Sequence, residues 1–306
     1  MTILETLAPL VLLIALGALL AHLKFLGNAF VADLNKLAFW VALPALLFRS
    51  AAEAGHPGAR TFHLLGILVA ATLLACLAAY LLCSLLHVPT KSWGTLAQSA
   101  FRGNLAYIGI PLLSLGLPAM GGGPEAFPTA VVVMTLMMVI FNFLAVLVLQ
   151  RGRWNPREVA RSIVTNPLLV AGLLGLGWST TGLGLTPVAD KTLQILGSAA
   201  VPMALLCIGG TLVAASPGGR KKEIAIAVGL KVAFLPLAVW GLGLAIGLDL
   251  VELRIGVVLA ACPTAAASYV MAARMGGDSQ LASASIAVST ICSAPALLWA
   301  LWVTGG

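Results

Sequence analysis

Ten stretches of about 20 residues run through this chain with hardly a charge among them. They cover residues 6–23, 32–51, 62–86, 93–117, 127–149, 162–181, 187–214, 223–247, 251–273 and 280–303. About 20 apolar residues in a helix cross the hydrocarbon of a bilayer. Inside lipid the backbone has no water to bond, so an open apolar run satisfies itself as helix. Composition agrees. Hydrophobic residues make up 60% of the chain and charged residues 9%, against roughly 25% charged in soluble domains. The mean hydropathy is +1.06. The expected fold is an all-α polytopic membrane protein with ten transmembrane helices, and the lipid bilayer is its first partner.

The net charge of +7 does not point to nucleic acid, because the basic residues lie in short linkers between apolar runs. That is the positive-inside pattern. Alternate linkers and their flanks hold Lys24, Lys36, Lys91, Arg151, Arg153, Arg157, Arg161, Arg220, Lys221, Lys222 and Arg274 on one side, against Arg49, Arg60, Lys191 and Arg254 on the other. The richer side is expected to be cytoplasmic, with both termini periplasmic. Glu5 precedes the first apolar run and no basic stretch does, so a cleaved signal peptide is not expected.

The two halves, 1–155 and 156–306, read alike. Leu43-Pro44-Ala45-Leu46-Leu47 in segment two parallels Val201-Pro202-Met203-Ala204-Leu205-Leu206 in segment seven, and Pro9-Leu10-Val11-Leu12-Leu13 parallels Pro167-Leu168-Leu169-Val170-Ala171. Five spans is an odd number, so the second half would enter the membrane inverted. Inverted five-helix repeats are a plan of secondary transporters.

Segments four and nine carry the chemistry. Segment four holds Arg102, Gly103, Asn104, Tyr107, Gly109 and Pro111. Segment nine holds Cys262, Pro263, Thr264, Ser268 and Tyr269. Glycine loosens the backbone, and proline removes an N–H and clashes with the preceding turn. Both segments are therefore expected to break near mid-membrane, at Gly103, Gly109, Pro111 and Pro263, and to cross there. Broken backbone in a membrane lines a cavity or is covered by protein, and half-helix N-termini favour anions. Arg102 is the sharpest signal. A central arginine costs roughly 2.5–3.5 kcal/mol on insertion scales, and its planar fork fits a carboxylate. Pairing with carbonyls at the break is the structural alternative. Asn104 could bond substrate or cap a half-helix. Tyr107 could stack on substrate or simply pack.

Other features are weaker. Asn142 could line the site or join helices through its amide. Lys231 reads as snorkelling toward the cytoplasmic side, with substrate pairing as the alternative. Ser283, Ser285, Ser289 and Thr290 read as helix-packing contacts, with cation coordination as the alternative. Asp33, Glu125, Asp190, Asp249 and Asp278 sit at linkers or segment ends, so carboxylate-based proton or sodium coupling is not evident. Cys76, Cys83, Cys207, Cys262 and Cys292 lack metal-ligand spacing and read as packing residues. Gly172-Leu173-Leu174-Gly175-Leu176-Gly177 reads as close helix packing, and no phosphate-binding loop supports ATP-driven transport. His22, His56, His63 and His87 lie near segment ends, and no spacing suggests a catalytic pair, a metal site or another cofactor. An enzyme is not expected.

The strings Leu43-Pro44-Ala45-Leu46-Leu47-Phe48, Arg102-Gly103-Asn104-Leu105-Ala106-Tyr107-Ile108-Gly109-Ile110-Pro111, Pro202-Met203-Ala204-Leu205 with Gly209-Gly210, and Cys262-Pro263 through Ser289 together resemble the auxin efflux carrier family, over essentially the whole chain. The resemblance implies two inverted five-helix repeats, broken crossing helices four and nine, and a homodimer. Bacterial members of that family are commonly assigned to malonate or other small carboxylates. The chain lacks the long loop of the plant members between spans five and six. It also has Gly103-Asn104-Leu105-Ala106-Tyr107 where they carry an Asn-Pro pattern, so auxin specificity does not transfer. The short form points to a bacterial inner membrane. The expected function is secondary transport of a small organic anion by alternating access, with Arg102, Asn104, Tyr107, Thr264, Ser268 and Asn142 as candidate substrate contacts. A sodium-coupled symporter resembling the bile-acid carriers and a non-transporting membrane sensor are the alternatives.

Overall fold

The structure is a computed structural model and describes residues 3–54, 58–119, 121–150, 155–213 and 220–305. Arg151, Arg153 and His56 lie outside the described residues. Within them the secondary structure is helical throughout, except for one antiparallel bridge between Gly103 and Thr264.

Six of the ten expected segments form helices long and apolar enough to cross a membrane: Ala29–Glu53, Thr61–Leu85, Ala126–Leu149, Pro187–Gly210, Lys221–Ala245 and Ser279–Val303. Segment six starts differently from its expected bounds. A short surface helix, Pro156–Val164, meets the apolar helix Pro167–Ser179 at 82°, and together they make a seventh candidate span. The bend has a local cause. Pro167 cannot continue a helix from before it, and Asn166 caps the new one by accepting from the Leu168 N–H at 3.0 Å. Segment one is the helix Ile3–His22. Segments four and nine fall short of single spans because each is interrupted.

Three helices widen by one residue just before a proline. The π-turns cover Ala38–Ala42, Leu105–Gly109 and Leu230–Phe234. In each case one residue follows, then Pro44, Pro111 or Pro236. Proline has no N–H to give, and its ring collides with the carbonyl four residues back, here Trp40, Tyr107 and Val232. A wider turn relieves that collision. The Leu43 N–H reaches five back to Ala38 O, and the Leu235 N–H to Leu230 O. Such π-turns often mark functional positions.

The chain forms two compact units, interleaved in sequence. The first comprises Met1–Thr61, Ala106–Leu136 and Ile163–Ala214, and the second Phe62–Leu105, Met137–Ser162 and Ala215–Gly306. Each unit therefore takes segments from both halves of the sequence.

Within the first unit, the helix Ile3–His22 packs along Ala200–Val213. Helices in lipid gain nothing from hiding apolar surface from each other, so close backbone approach carries the association. Gly17 faces the Leu206 carbonyl and Gly209 faces the Ile14 carbonyl, and a Cβ at either would overlap backbone. Gly175 meets Phe48 in the same manner, while Gly172 lies against the Thr135 side chain. Gly177 has open space beside it, so packing explains only part of the glycine run. At one end Arg49 makes two contacts to the Asp190 carboxylate, at 2.7 and 3.4 Å, and one to Glu53 at 2.8 Å.

Within the second unit, Leu250–Ala261 packs on Leu235–Ala245 and on Ser279–Gly305, and Lys221–Gly229 packs on Trp93–Phe101. Asp278 ties three linkers together. Its carboxylate caps the last helix through the Leu281 N–H at 3.2 Å, accepts from Ser92 Oγ at 3.0 Å and pairs with Arg220. Its own N–H donates to Thr95 Oγ1 at 2.8 Å.

Candidate functional site

The breaks in segments four and nine meet inside the second unit. The helix Trp93–Phe101 ends where Arg102 turns extended, at φ −79° and ψ 100°. The helix Leu250–Ala261 ends at Cys262, with φ −56° and ψ 138°, and helix resumes at Ala267. Pro263 follows, and the residue before a proline is driven out of the helical region. The two extended pieces run antiparallel. Asn104 N–H donates to Pro263 O at 2.7 Å, and Ala265 N–H donates to Arg102 O at 2.9 Å. Each break thus satisfies groups the other frees, which is what a membrane interior demands. Gly103 suits this place sterically. A Cβ there would stand 3.1 Å from a Leu105 methyl and 3.4 Å from the Leu259 carbonyl.

Five of the six expected contact residues belong to this unit. Arg102 is 5% exposed. Its Nη2 donates to Asn142 Oδ1 at 2.6 Å, and its Nη1 is directed at the sulfur of Met271. Phe101 and Phe141, with ring centroids 5.9 Å apart, supply apolar cover beside them. A guanidinium has five N–H donors and a permanent charge. Asn142 is neutral and a thioether is a weak acceptor, so the charge is solvated without being neutralised. Among the described residues, the buried charged side chains are Arg102, Lys231 and Arg254, and no buried side chain is acidic.

Thr264 bonds within the protein through two polar groups. Its Oγ1 donates to Ser99 O at 2.8 Å, and its N–H donates to Ser289 Oγ at 3.0 Å. Ser268 is fully buried, its carbonyl accepts from Gln98 Nε2 at 2.9 Å, and its hydroxyl has no partner among the described residues. Asn104 is half-buried and enters the pairing of the breaks through its N–H. Tyr107 belongs to the first unit, within the π-turn before Pro111, and its hydroxyl donates to Asn35 Oδ1 at 2.7 Å. Of the expected break residues, Gly103 and Pro263 lie in the extended pieces, whereas Gly109 and Pro111 flank the end of that π-turn. Pro111 widens the helix without interrupting it.

Gln98 and Ser99 were not singled out by sequence reasoning. The buried side-chain atoms without a partner among the described residues are Gln98 Oε1, Ser99 Oγ, Asn142 Nδ2, Ser268 Oγ and Ser285 Oγ. All belong to the second unit. A glutamine in the middle of an apolar run was the available signal for this cluster, four residues before Arg102. Lys231 overturns its expected placement. It is fully buried, with Nζ donating to Ala260 O at 2.6 Å. The π-turn Leu230–Phe234 carries Lys231, and its side chain runs to the end of Leu250–Ala261 instead of to the membrane surface.

A family of membrane transport proteins matches residues 2–152 and 155–301. The chain belongs to the auxin efflux carrier family. Another protein with the same span, from Methanothermobacter thermautotrophicus, is described as an uncharacterized transporter. It is 27% identical to this carrier over 300 residues, which is 97% of each chain. Both comparisons identify transporters, and the carrier is a multi-pass membrane protein by its helices and its family.

Proposed function

We propose that this carrier moves a small organic anion, of the malonate or simple carboxylate class, by alternating access as a secondary transporter. The observation that carries the reading is Arg102, a permanent cation whose partners among the described residues are neutral, beside two broken segments. A carboxylate arriving there would replace a neutral acceptor by a charged, bidentate one. Asn142 Nδ2 and Ser268 Oγ, both without a partner among the described residues, offer donors for its remaining oxygens. Thr264 and Asn104 act by holding the paired breaks in shape.

In this reading the ten segments are ten spans in two inverted repeats, 1–155 and 156–306, with segments four and nine as crossing helices. The position of both breaks in corresponding segments of the halves supports it. The second unit carries the cluster and would move as a body with the anion bound. The protein would lie in a bacterial inner membrane as a homodimer, termini outside and the Arg157–Arg161 linker inside. A second reading, sodium-coupled symport, is favoured by the buried neutral oxygens of Gln98, Ser99, Ser268 and Ser285, a donor type that suits hard cations. Counterflow of labelled malonate, malate and acetate in proteoliposomes, with and without sodium, tests both. Absence of counterflow for every carboxylate would refute the anion assignment.

A further inference from the structure

Lys231 is a buried amine that the anion reading does not use. Its side chain is fully buried, and among the described residues Ala260 O is its one hydrogen-bond acceptor. A protonated amine has three N–H donors. Leaving two of them dry in a membrane-spanning core is costly. The amine is also placed close to the site. A Cβ on Gly103 would lie 3.6 Å from Nζ, and Gly103 is the neighbour of Arg102 in the paired break. One permanent cation therefore already occupies this region without a buried carboxylate to balance it.

Among the described residues, the surroundings of Lys231 offer it no counterion. Its π-turn packs against Trp93–Phe101, Lys221–Gly229, Leu235–Ala245, Leu250–Ala261 and Ser279–Gly305. Trp93–Phe101 carries no titratable group, and Arg102 follows it. Lys221–Gly229 has Lys221, Lys222 and Glu223 in its first turn, two helical turns away along the same helix. Leu235–Ala245 has none. Leu250–Ala261 has Glu252 and Arg254 near the opposite end, with Cys262 just past Ala261. Ser279–Gly305 has only Cys292.

We propose that Lys231 is the proton-carrying group of this carrier, taking up one proton as the anion binds beside Arg102 and releasing it as the anion leaves. The inference rests on the carboxylate reading above and names its coupling ion. Without the anion, Lys231 is a neutral amine that donates one N–H to Ala260 O. When a dianion such as malonate enters, one proton from water adds to the Lys231 lone pair. Arg102 and Lys231 together then balance both negative charges. Binding and protonation favour each other reciprocally. Transport is then proton symport with an amine as the proton-carrying group.

The test is calorimetric titration of the purified wild-type protein with malonate at one pH in phosphate, HEPES and Tris, whose ionisation enthalpies differ. The apparent enthalpy should vary with buffer enthalpy by a slope equal to about one proton taken up per malonate. Above the pH at which Lys231 loses its proton, affinity should fall about tenfold per pH unit. Lys231→Arg keeps a charge and a donor to Ala260 O but cannot lose its proton, so it should bind malonate with no uptake. A zero slope in the wild type overturns the inference and leaves the carboxylate site standing. Uptake that persists in Lys231→Arg also overturns it, because the proton then belongs to the anion or another group. No heat with malonate, malate or acetate overturns the carboxylate reading itself, and this inference with it.

Discussion

Arg102 Nη2 and Asn142 Oδ1 stand 2.6 Å apart in the buried interior of the second unit. The pair joins the break of segment four to the middle of segment five, and it gives a buried cation a neutral partner. A neutral partner holds the guanidinium in place without cancelling its charge, and that leaves the charge available to a ligand.

Replacing this partner by a carboxylate tests the point. Asn142→Asp should form an internal ion pair with Arg102 and imitate the bound anion. Malonate affinity should fall about 100-fold, the equivalent of nearly 3 kcal/mol, while the thermal midpoint holds or rises. Asn142→Leu leaves the Arg102 donor unmet and should lower the folded yield instead. Affinity by calorimetry and midpoint by scanning fluorimetry distinguish these outcomes.

Thr264 is assigned to holding the paired breaks. Thr264→Val preserves its shape and removes the donation to Ser99 O. The expected loss is about 1 kcal/mol of stability, read as a lowered midpoint with malonate affinity within about threefold of wild type. Thr264→Ser should restore most of the midpoint.

The first unit depends on backbone approach at Gly17 and Gly209. Gly209→Leu places a side chain against the Ile14 carbonyl and should cost about 1–3 kcal/mol. Gly177→Leu, in the same class of change, meets open space and should leave the midpoint nearly unmoved.

Topology gives a further check. Asn155→Cys, in a background whose five native cysteines are replaced, should resist an impermeant maleimide added outside intact spheroplasts and react after permeabilisation. Labelling from outside would reverse the assigned orientation.

The helical membrane fold was legible because charge-free runs of spanning length admit little else. The breaks at Arg102–Asn104 and Pro263–Ala265 were legible too, since Gly103 and Pro263 disrupt helices by local chemistry. The π-turns before Pro44 and Pro236 were not anticipated, because a proline in an apolar run can kink, cap or widen a helix and only neighbouring packing decides. The bend at Asn166-Pro167 carried a capping signal that the apolar run after it concealed. Lys231 misled for a different reason. Snorkelling is the usual course for a lysine in an apolar run, but a one-residue widening of its helix and a buried helix-end carbonyl at Ala260 redirected it inward. Grouping Gln98, Ser268 and Asn142 required knowing which segments adjoin, and neither periodicity nor spacing within one segment records that.

The central claim is that Arg102 contacts the anion. The most direct measurement is malonate affinity on monodisperse Arg102→Ala and Arg102→Lys, compared with wild type in the same detergent. The account predicts loss of measurable binding in Arg102→Ala, and partial affinity in Arg102→Lys, which keeps the charge and loses the planar fork. Wild-type affinity in well-folded Arg102→Ala would contradict it and leave Arg102 as a structural partner of Asn142.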